Sequence, residues 1–195
     1  LWAMGDNEYG QLGAGSTRNW SIGNVASVSA GDRHTLFVKT DGSLWAMGDN
    51  EYGQLGAGST SNRYIPVQVA TDVASVSAGK AHTLFVKTDG SLWAMGDNEY
   101  GQLGDGTTTD RSTPVQVATG VASVSAGGYH TLFVKTDGSL WAMGDNEYGQ
   151  LGDRSTITPV QVATDVASVS AGYRHTLFVK TDGSLWAMGD NEYGQ

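Results

Sequence analysis

The chain has 195 residues, of which 39% are hydrophobic, 28 are glycine and none is cysteine, and its formal net charge is −9. This composition is typical of a folded, turn-rich β protein and excludes disulfide bonds and cysteine-ligated zinc. The acidic balance argues against a nucleic-acid partner, because non-specific binding to nucleic acid depends on clustered Lys and Arg. No apolar run approaches the roughly 20 residues that span a bilayer, so we expect no membrane association.

A string of eleven residues, LWAMGDNEYGQ, begins at Leu1, Leu44, Leu92, Leu140 and Leu185. Its spacings of 43, 48, 48 and 45 residues lie in the range of propeller blades. We therefore interpret residues 1–195 as one repeat domain with four full periods and a partial repeat at 185–195. Because the sequence opens inside a repeat, we expect that the natural N-terminus, with any targeting segment, was removed or never present.

Each period predicts four short antiparallel strands, and no segment has the i, i+3, i+4, i+7 spacing of a helix. In chain order through the second period, strand D is Pro66–Ala70, strand A is Val73–Ala78, strand B is His82–Lys87 and strand C is Ser91–Gly96. Strand A has small side chains that suit the innermost position, and the leading proline suits D to an outer edge. The Asp-Gly step between B and C predicts a type I′ turn. The predicted fold class is all-β, a propeller of four-stranded antiparallel blades.

The segment from Gly79 to Gly104 resembles the repeat of the regulator-of-chromosome-condensation family. It has Gly-x-x-His at 79–82 and Gly-x-Asn-x-x-Gly-Gln-Leu-Gly at 96–104, and departs from the family pattern by placing Met95 directly before Gly96, with Trp93 three residues before it. The resemblance implies a propeller, usually of seven blades, and the family's name implies chromatin binding or nucleotide exchange on a small GTPase. The architecture is also similar to that of beta-lactamase inhibitory protein II, which captures its partner with loops on one propeller face.

The number of repeats leaves the closure of the ring open. Four repeats are fewer than seven blades, and the first linker, 14–24, lacks the PVQVA strand. The strands therefore begin with C and end with A, B and C, which leaves blade edges open to pairing. Two alternatives follow: a strained ring of four blades with a redundant end, or a larger ring completed by a symmetric homodimer.

Comparison of the repeats with one another locates their differences. Two residues vary before each repeated histidine, and they are Asp32-Arg33, Lys80-Ala81, Gly128-Tyr129 and Tyr173-Arg174. A second variable stretch follows each GQLG. In an antiparallel blade the A–B corner and the C–D connection, which hold these two stretches, emerge at the same end, whereas the B–C turn TDGS at the other end never changes. The variation is therefore predicted to lie on one face.

The variable positions hold all six arginines of the chain and its only tryptophan outside LWAMG. Arg, Trp and Tyr dominate interface hot spots, so we predict that another protein binds this face. The candidate contacts are Arg18, Asn19, Trp20, Asp32, Arg33, Arg63, Tyr64, Lys80, Arg111, Tyr129, Arg154, Tyr173 and Arg174. A constant scaffold with a diversified surface is typical of an engineered binder or of a secreted bacterial recognition protein. The alternatives are a propeller made without any partner and the chromatin or GTPase role that the family name implies.

We expect no catalysis, no cofactor and no metal. The repeated histidines are His34, His82, His130 and His175, and they could surround the axis as metal ligands. Histidines placed by repeat symmetry more often hydrogen-bond neighbouring backbone, however. The GDNEYG loops have the composition of a calcium site without its Asp-x-Asn-x-Asp-Gly spacing. Every acid of the scaffold occurs four or five times, whereas acid–base catalysis usually needs one asymmetric arrangement.

Overall fold

A computed structural model describes residues 4–13, 22–152 and 155–195, and within these ranges the regular structure is entirely β-strand. The strands form four antiparallel sheets, each in chain order from the inside outwards. The first sheet is β1 (Val25–Ala30), β2 (His34–Lys39), β3 (Leu44–Gly48) and β4 (Arg63–Ala70). The second is β5 (Val73–Ala78), β6 (His82–Lys87), β7 (Leu92–Gly96) and β8 (Arg111–Ala118). The third is β9 (Val121–Ala126), β10 (His130–Lys135), β11 (Leu140–Gly144) and β12 (Thr156–Ala163), and the fourth is β13 (Val166–Ala171), β14 (His175–Lys180) and β15 (Leu185–Gly189).

These sheets are the predicted blades, so the all-β fold class is confirmed. Strands A and B have the predicted bounds, and strand C begins one residue later than predicted. The predicted start of strand D at Pro66 is wrong, because β4 already begins at Arg63. Its first residues pair with the end of strand C across an irregularity in the register, where Gly48 lies opposite Arg63. Arg63 and Tyr64 are therefore held on a strand and not on a free loop.

The turn between strands B and C differs from the predicted type I′ geometry, which requires positive φ at both central residues. In the second blade the Gly90 amide donates to the Lys87 carbonyl, closing a turn over Thr88 and Asp89. Asp89 does not have positive φ, and Gly90 follows at φ 79°. This is the three-residue hairpin in which a glycine in the left-handed region follows the turn.

The core lies between neighbouring blades and not within one sheet. Each blade turns leucine and valine side chains from strands B and C, such as Leu36 and Leu44, towards the next blade. Against these side chains the next blade packs the phenylalanine of its strand B and the methionine of its strand C, here Phe85 and Met95. The same arrangement recurs at the second and third interfaces. Burying one such side chain contributes about 2 kcal/mol, so each interface contributes substantially to the stability of the fold.

A histidine–threonine pair joins each blade to the next beneath the A–B corners. The Nε2 of His82 lies 3.1 Å from the Oγ1 of Thr131, and the pairs His34–Thr83 and His130–Thr176 repeat this contact. Thr131 donates its own hydroxyl to the Gln102 carbonyl at 2.7 Å, so His82 Nε2 must be the donor of the pair. The sequence led us to expect bonds to neighbouring backbone, whereas at Nε2 the partner is a threonine side chain of the next blade.

Candidate functional site

The A–B corner of each blade is a rigid mount for the two variable residues. In the second blade the Gly79 amide donates to the His82 carbonyl at 2.9 Å, which pinches the chain so that residues 80 and 81 project between them. Gly79 is required there, since a Cβ would lie 2.3 Å from the His82 ring and 2.7 Å from the Gly127 carbonyl of the next blade. The variable pair is thus held at a closely packed corner.

The first variable residue of each pair lines a cavity at the inner ends of the blades. This cavity has a volume of about 300 Å³, and its wall consists of the repeated Ala-Gly pairs together with the residues of the first variable position. Those residues are Asp32, Lys80, Gly128 and Tyr173. The scaffold therefore supplies only small groups, and the chemistry of the cavity is set by the variable positions.

In the first, third and fourth blades the second variable residue contacts a tyrosine of the preceding GDNEYG loop. The Arg33 guanidinium lies 4.7 Å from the Tyr9 ring centre, and Arg174 lies 4.3 Å from that of Tyr148. Tyr129 meets Tyr100 with ring centres 5.1 Å apart. The loop that follows strand C and the A–B corner therefore share one face, as the antiparallel geometry predicts.

Lys80, Tyr129 and Tyr173 form the centre of this face. Lys80 Nζ donates to the Tyr129 hydroxyl and lies 4.3 Å and 5.7 Å from the ring centres of Tyr129 and Tyr173. The two rings meet edge to face at 5.8 Å. The hydrogen bond to Tyr129 raises the pKa of Lys80 above its ordinary value, so its ammonium stays charged throughout the neutral range. The centre of the face is a cation held between two aromatic rings.

Two candidates of the C–D side, Arg111 and Tyr64, are packed against neighbouring loop residues. Arg111 donates to the Asp105 carboxylate through Nε and Nη2, both at 2.6 Å, so its guanidinium already braces the C–D connection. Tyr64 lies at the start of β4, where a Cβ on Gly10 would lie 2.7 Å from its Cα. The candidates Arg18, Asn19, Trp20 and Arg154 lie outside the described residues.

The unchanging B–C turn has a structural cause. In every blade an aspartate Oδ1 accepts from the amide and the hydroxyl of the serine two residues later, as in Asp89 and Ser91, and that serine hydroxyl also accepts from the indole of Trp93. The serine hydrogen bonds hold the pKa of Asp89 below its usual value. Constancy of TDGS therefore follows from turn geometry, and the confinement of variation to the other face does not by itself indicate selection for binding.

Comparison with known proteins assigns the chain to a family. The family model of the RCC1-like domain matches residues 1–195. The chain belongs to the RCC1-like family. A search of the curated proteins found no match.

Solved RCC1-like structures share the fold at low sequence identity. Human WBSCR16 is 24% identical, with a TM-score of 0.86 over 97% of this chain and 57% of its own. Saccharomyces cerevisiae Prp20p, described together with its binding to Gsp1p and histones, is 21% identical, with a TM-score of 0.86 over 100% of this chain and 54% of its own. Yeast RCC1 (Prp20) bound to Kap60 is 22% identical, with a TM-score of 0.77 over 90% and 47%. The chain thus spans about half the length of the RCC1-like structures that it matches.

The face formed by the A–B corners and the C–D connections also includes tyrosines that the sequence analysis did not select. Tyr9, Tyr100 and Tyr148 are identical in every repeat, so a comparison of the repeats, which detects only differences, does not select them. Their position two residues after the Asn of GDNEYG, just beyond strand C, already indicated the same end of the blade.

Across the described ranges, no helix is long and apolar enough to cross a membrane. Within the same residues no cluster of three or more His, Cys, Asp or Glu side chains could hold a metal ion.

Proposed function

We propose that this chain is a protein-recognition module whose contact surface is the face formed by the A–B corners and the C–D connections. The observation that carries the proposal is the arrangement at the corners: the first variable residue of each pair lines the axial cavity, and in the first, third and fourth blades the second variable residue contacts a tyrosine of the repeated GDNEYG loop. The changes at the first position, and those at Arg33, Tyr129 and Arg174, therefore alter the chemistry of this face, while the inter-blade contacts recur from blade to blade.

The chemistry of the face suits a protein partner. Tyr100, Tyr129, Tyr173 and Tyr148 form a row of aromatic side chains interrupted by the cations of Lys80 and Arg174. Tyr173 is 50% exposed, so a partner can bury a large part of its ring. Rigid aromatic side chains beside arginine are the usual anchors of interfaces, since they gain contact area at a small cost in conformational entropy. The solved relatives described as binding Kap60, Gsp1p or histones also have protein partners.

The proposal predicts that truncating two residues of the face weakens partner binding. The double variant Tyr173→Ala/Arg174→Ala removes one ring and the cation that stacks on Tyr148, and should cost about 2 kcal/mol, or roughly 30-fold in Kd. Proteins retained from an extract of the source cells by the immobilised chain are quantified, and their affinity is then measured by titration.

The matched control lies at the opposite end of the same blade. Lys180→Ala/Thr181→Ala also removes a cation stacked on a ring, since Lys180 Nζ lies 5.2 Å from the Trp186 ring centre. A partner that binds the face is retained by the wild type and by this control and is lost from the Tyr173/Arg174 variant. Equal retention by all three proteins, or retention of nothing by the wild type, would contradict the proposal. Circular dichroism of each variant confirms that the fold is intact.

We further propose that the module acts by binding alone and has no catalytic activity. The support is that the acids of the described scaffold recur in each blade in the same hydrogen bonds, as when Asp49, Asp97 and Asp145 each accept the amide two residues on. These carboxylates already have a structural role in their turns. Addition of this chain to nucleotide-loaded Gsp1p, with the release of labelled GDP as the readout, tests the exchange activity that the family name implies, and a rate above the spontaneous one would contradict the proposal.

A further inference from the structure

Three contacts recur wherever one blade meets the next. The leucine side of the first blade, which is the face that presents the leucines of strands B and C, packs on the phenylalanine side of the second, which presents the phenylalanine of strand B and the methionine of strand C. The histidine of the first donates to the threonine of the second. A serine hydroxyl on strand A of the first accepts the amide of an alanine at the end of strand A of the second, as from Ala126 to Ser77 at 3.0 Å. Each interface therefore has two different halves that fit each other.

One half of this interface is uncovered on the fourth blade. Leu185 is 67% exposed, whereas its equivalents Leu44, Leu92 and Leu140 are buried. Ser170, the counterpart of the accepting Ser77, is exposed, and His175 is only partly covered although its counterparts His34, His82 and His130 are buried. The leucine side, the serine acceptor and the histidine of a blade interface thus face outwards together.

The other half is uncovered on the first blade. Val28 is 53% exposed, whereas the equivalent Val76 packs against the preceding blade. Ala30, whose counterparts donate their amides to the preceding blade, is exposed as well. Thr35 donates its hydroxyl to the Gln11 carbonyl at 2.8 Å, as Thr83 does to Gln54, so its oxygen is oriented to accept from a histidine of a preceding blade.

We propose that these two surfaces bind each other between two copies of this chain, first blade on fourth blade in both directions, so that the pair closes into a single ring. In this ring His175 donates to Thr35 of the second copy, Ser170 accepts from Ala30 of the second copy, and Leu185 packs near Val28 of the second copy. The interface uses faces of the blades, and not the strand edges that the sequence pattern suggested. Two such head-to-tail contacts related by a two-fold axis leave neither surface open.

Two further observations support a second copy as the occupant. The four blades superpose on a part of human WBSCR16 that makes up 57% of that chain, so a longer chain of this fold continues beyond an arc of this size. The GQL segment that covers each interface is also already in place, since Leu12 is buried and the Gln11 carbonyl is bonded to Thr35. The identical sequence after β15 is exposed, and it can move aside when the second copy binds.

The solution mass tests this proposal. Light scattering of the 195-residue chain across micromolar concentrations should give about twice 20.4 kDa. Leu185→Glu and Val28→Lys each place a charge in the interface, at residues already exposed in a single chain, and each should reduce the mass to that of one chain. The control is Ile65→Glu, 74% exposed on β4 at a position whose counterpart Thr113 is exposed in an interior blade, and it should keep the double mass.

Mixing the two interface variants tests the head-to-tail arrangement. The fourth blade of Val28→Lys and the first blade of Leu185→Glu are both unaltered, so an equimolar mixture should regain the double mass that neither variant has alone. A wild-type mass of one chain at 100 μM, species that grow beyond two copies, or a mixture that stays at the mass of one chain would overturn the proposal. Circular dichroism of every variant separates loss of association from loss of fold.

Discussion

Acidification from pH 7 to pH 4 is expected to remove most of the stability of this fold, because its blades are joined through buried neutral histidines. Burial lowers the pKa of His34, His82 and His130 from 6.5 to about 4, 3 and 4. Within the described part of the chain, the Nδ1 atoms of these rings are buried without a hydrogen-bond partner, so a second proton would be placed on a buried and unpaired atom. Nε2 already carries the proton that is donated to the threonine of the next blade.

The direction of the effect follows from linkage. In the unfolded chain the histidines titrate near pH 6.5, so between pH 6.5 and about pH 4 the unfolded state binds more protons than the folded state, and stability falls as the pH falls. Above pH 6.5 neither state binds these protons, so the stability is fully present there. Each histidine accounts for about 3 kcal/mol at the acid end, and three together approach the 5–15 kcal/mol that a domain has in total.

The aspartates with shifted pKa values change the free energy of unfolding at a lower pH than the histidines do. Asp41, Asp89 and Asp137 have pKa values lowered by hydrogen bonds from serine, so the stability they contribute is lost only below about pH 3.8. Burial raises the pKa of Asp97, so just above that pH this carboxyl adds slightly to the stability of the folded state as the pH falls, whereas the histidines reduce it. The window between pH 6.5 and 4.5 reports on the histidines.

Urea unfolding at half-unit steps of pH measures how steeply the free energy of unfolding changes with pH. The variant His82→Gln keeps an amide that can donate to Thr131 but cannot take up a proton, so its unfolding free energy should fall less steeply than that of the wild type between pH 6.5 and 4.5. Asp97→Asn is the matched control and should keep the wild-type slope in the upper part of the window. An unfolding free energy that is flat across the window, or a wild-type slope in His82→Gln, would contradict the histidine account.

The strands of this fold could be predicted from the sequence because their signal is local. VASVSA and HTLFVK alternate with period two and end at Gly or at the Asp-Gly turn, and β5 and β6 have the predicted bounds. Strand D was misplaced because its first residues differ between repeats, and their pairing with Gly48 or Gly96 gives no pattern in composition.

The contacts between blades could not be predicted in the same way. His82 and Thr131 lie 49 residues apart, and nothing in either local sequence shows that the pitch of the repeat brings them together. For the candidate site, the variable positions were visible as differences between repeats, but which of the two enters the axial cavity depends on the corner geometry set by Gly79 and His82. The tyrosines of the scaffold join the face through contacts with the following repeat, which a comparison of aligned positions does not show.

Gly79→Ala is expected to destabilise the fold by about 3 kcal/mol or more, although it adds a single methyl group. That methyl would lie 2.3 Å from Cε1 of His82 and 2.7 Å from the Gly127 carbonyl. The ring cannot turn away, because it is buried and its Nε2 is bonded to Thr131, and the carbonyl belongs to the backbone of the next blade. The clash must therefore separate two blades or break the histidine–threonine pair.

Gly23→Ala provides the matched control, because no atom of the described residues lies within 4 Å of a Cβ at Gly23 and its φ is outside the left-handed region. This variant should be neutral or slightly stabilising, since alanine reduces the freedom of the unfolded chain. Urea unfolding of both variants at pH 7 measures the difference. Because the cost at Gly79 comes from the fixed ring, Gly79→Ala/His82→Ala should recover part of the stability relative to the sum of the two single changes. Equal stability of the two glycine variants, or strict additivity in the double variant, would show that the corner can relax and that the variable residues are not mounted as rigidly as the geometry requires.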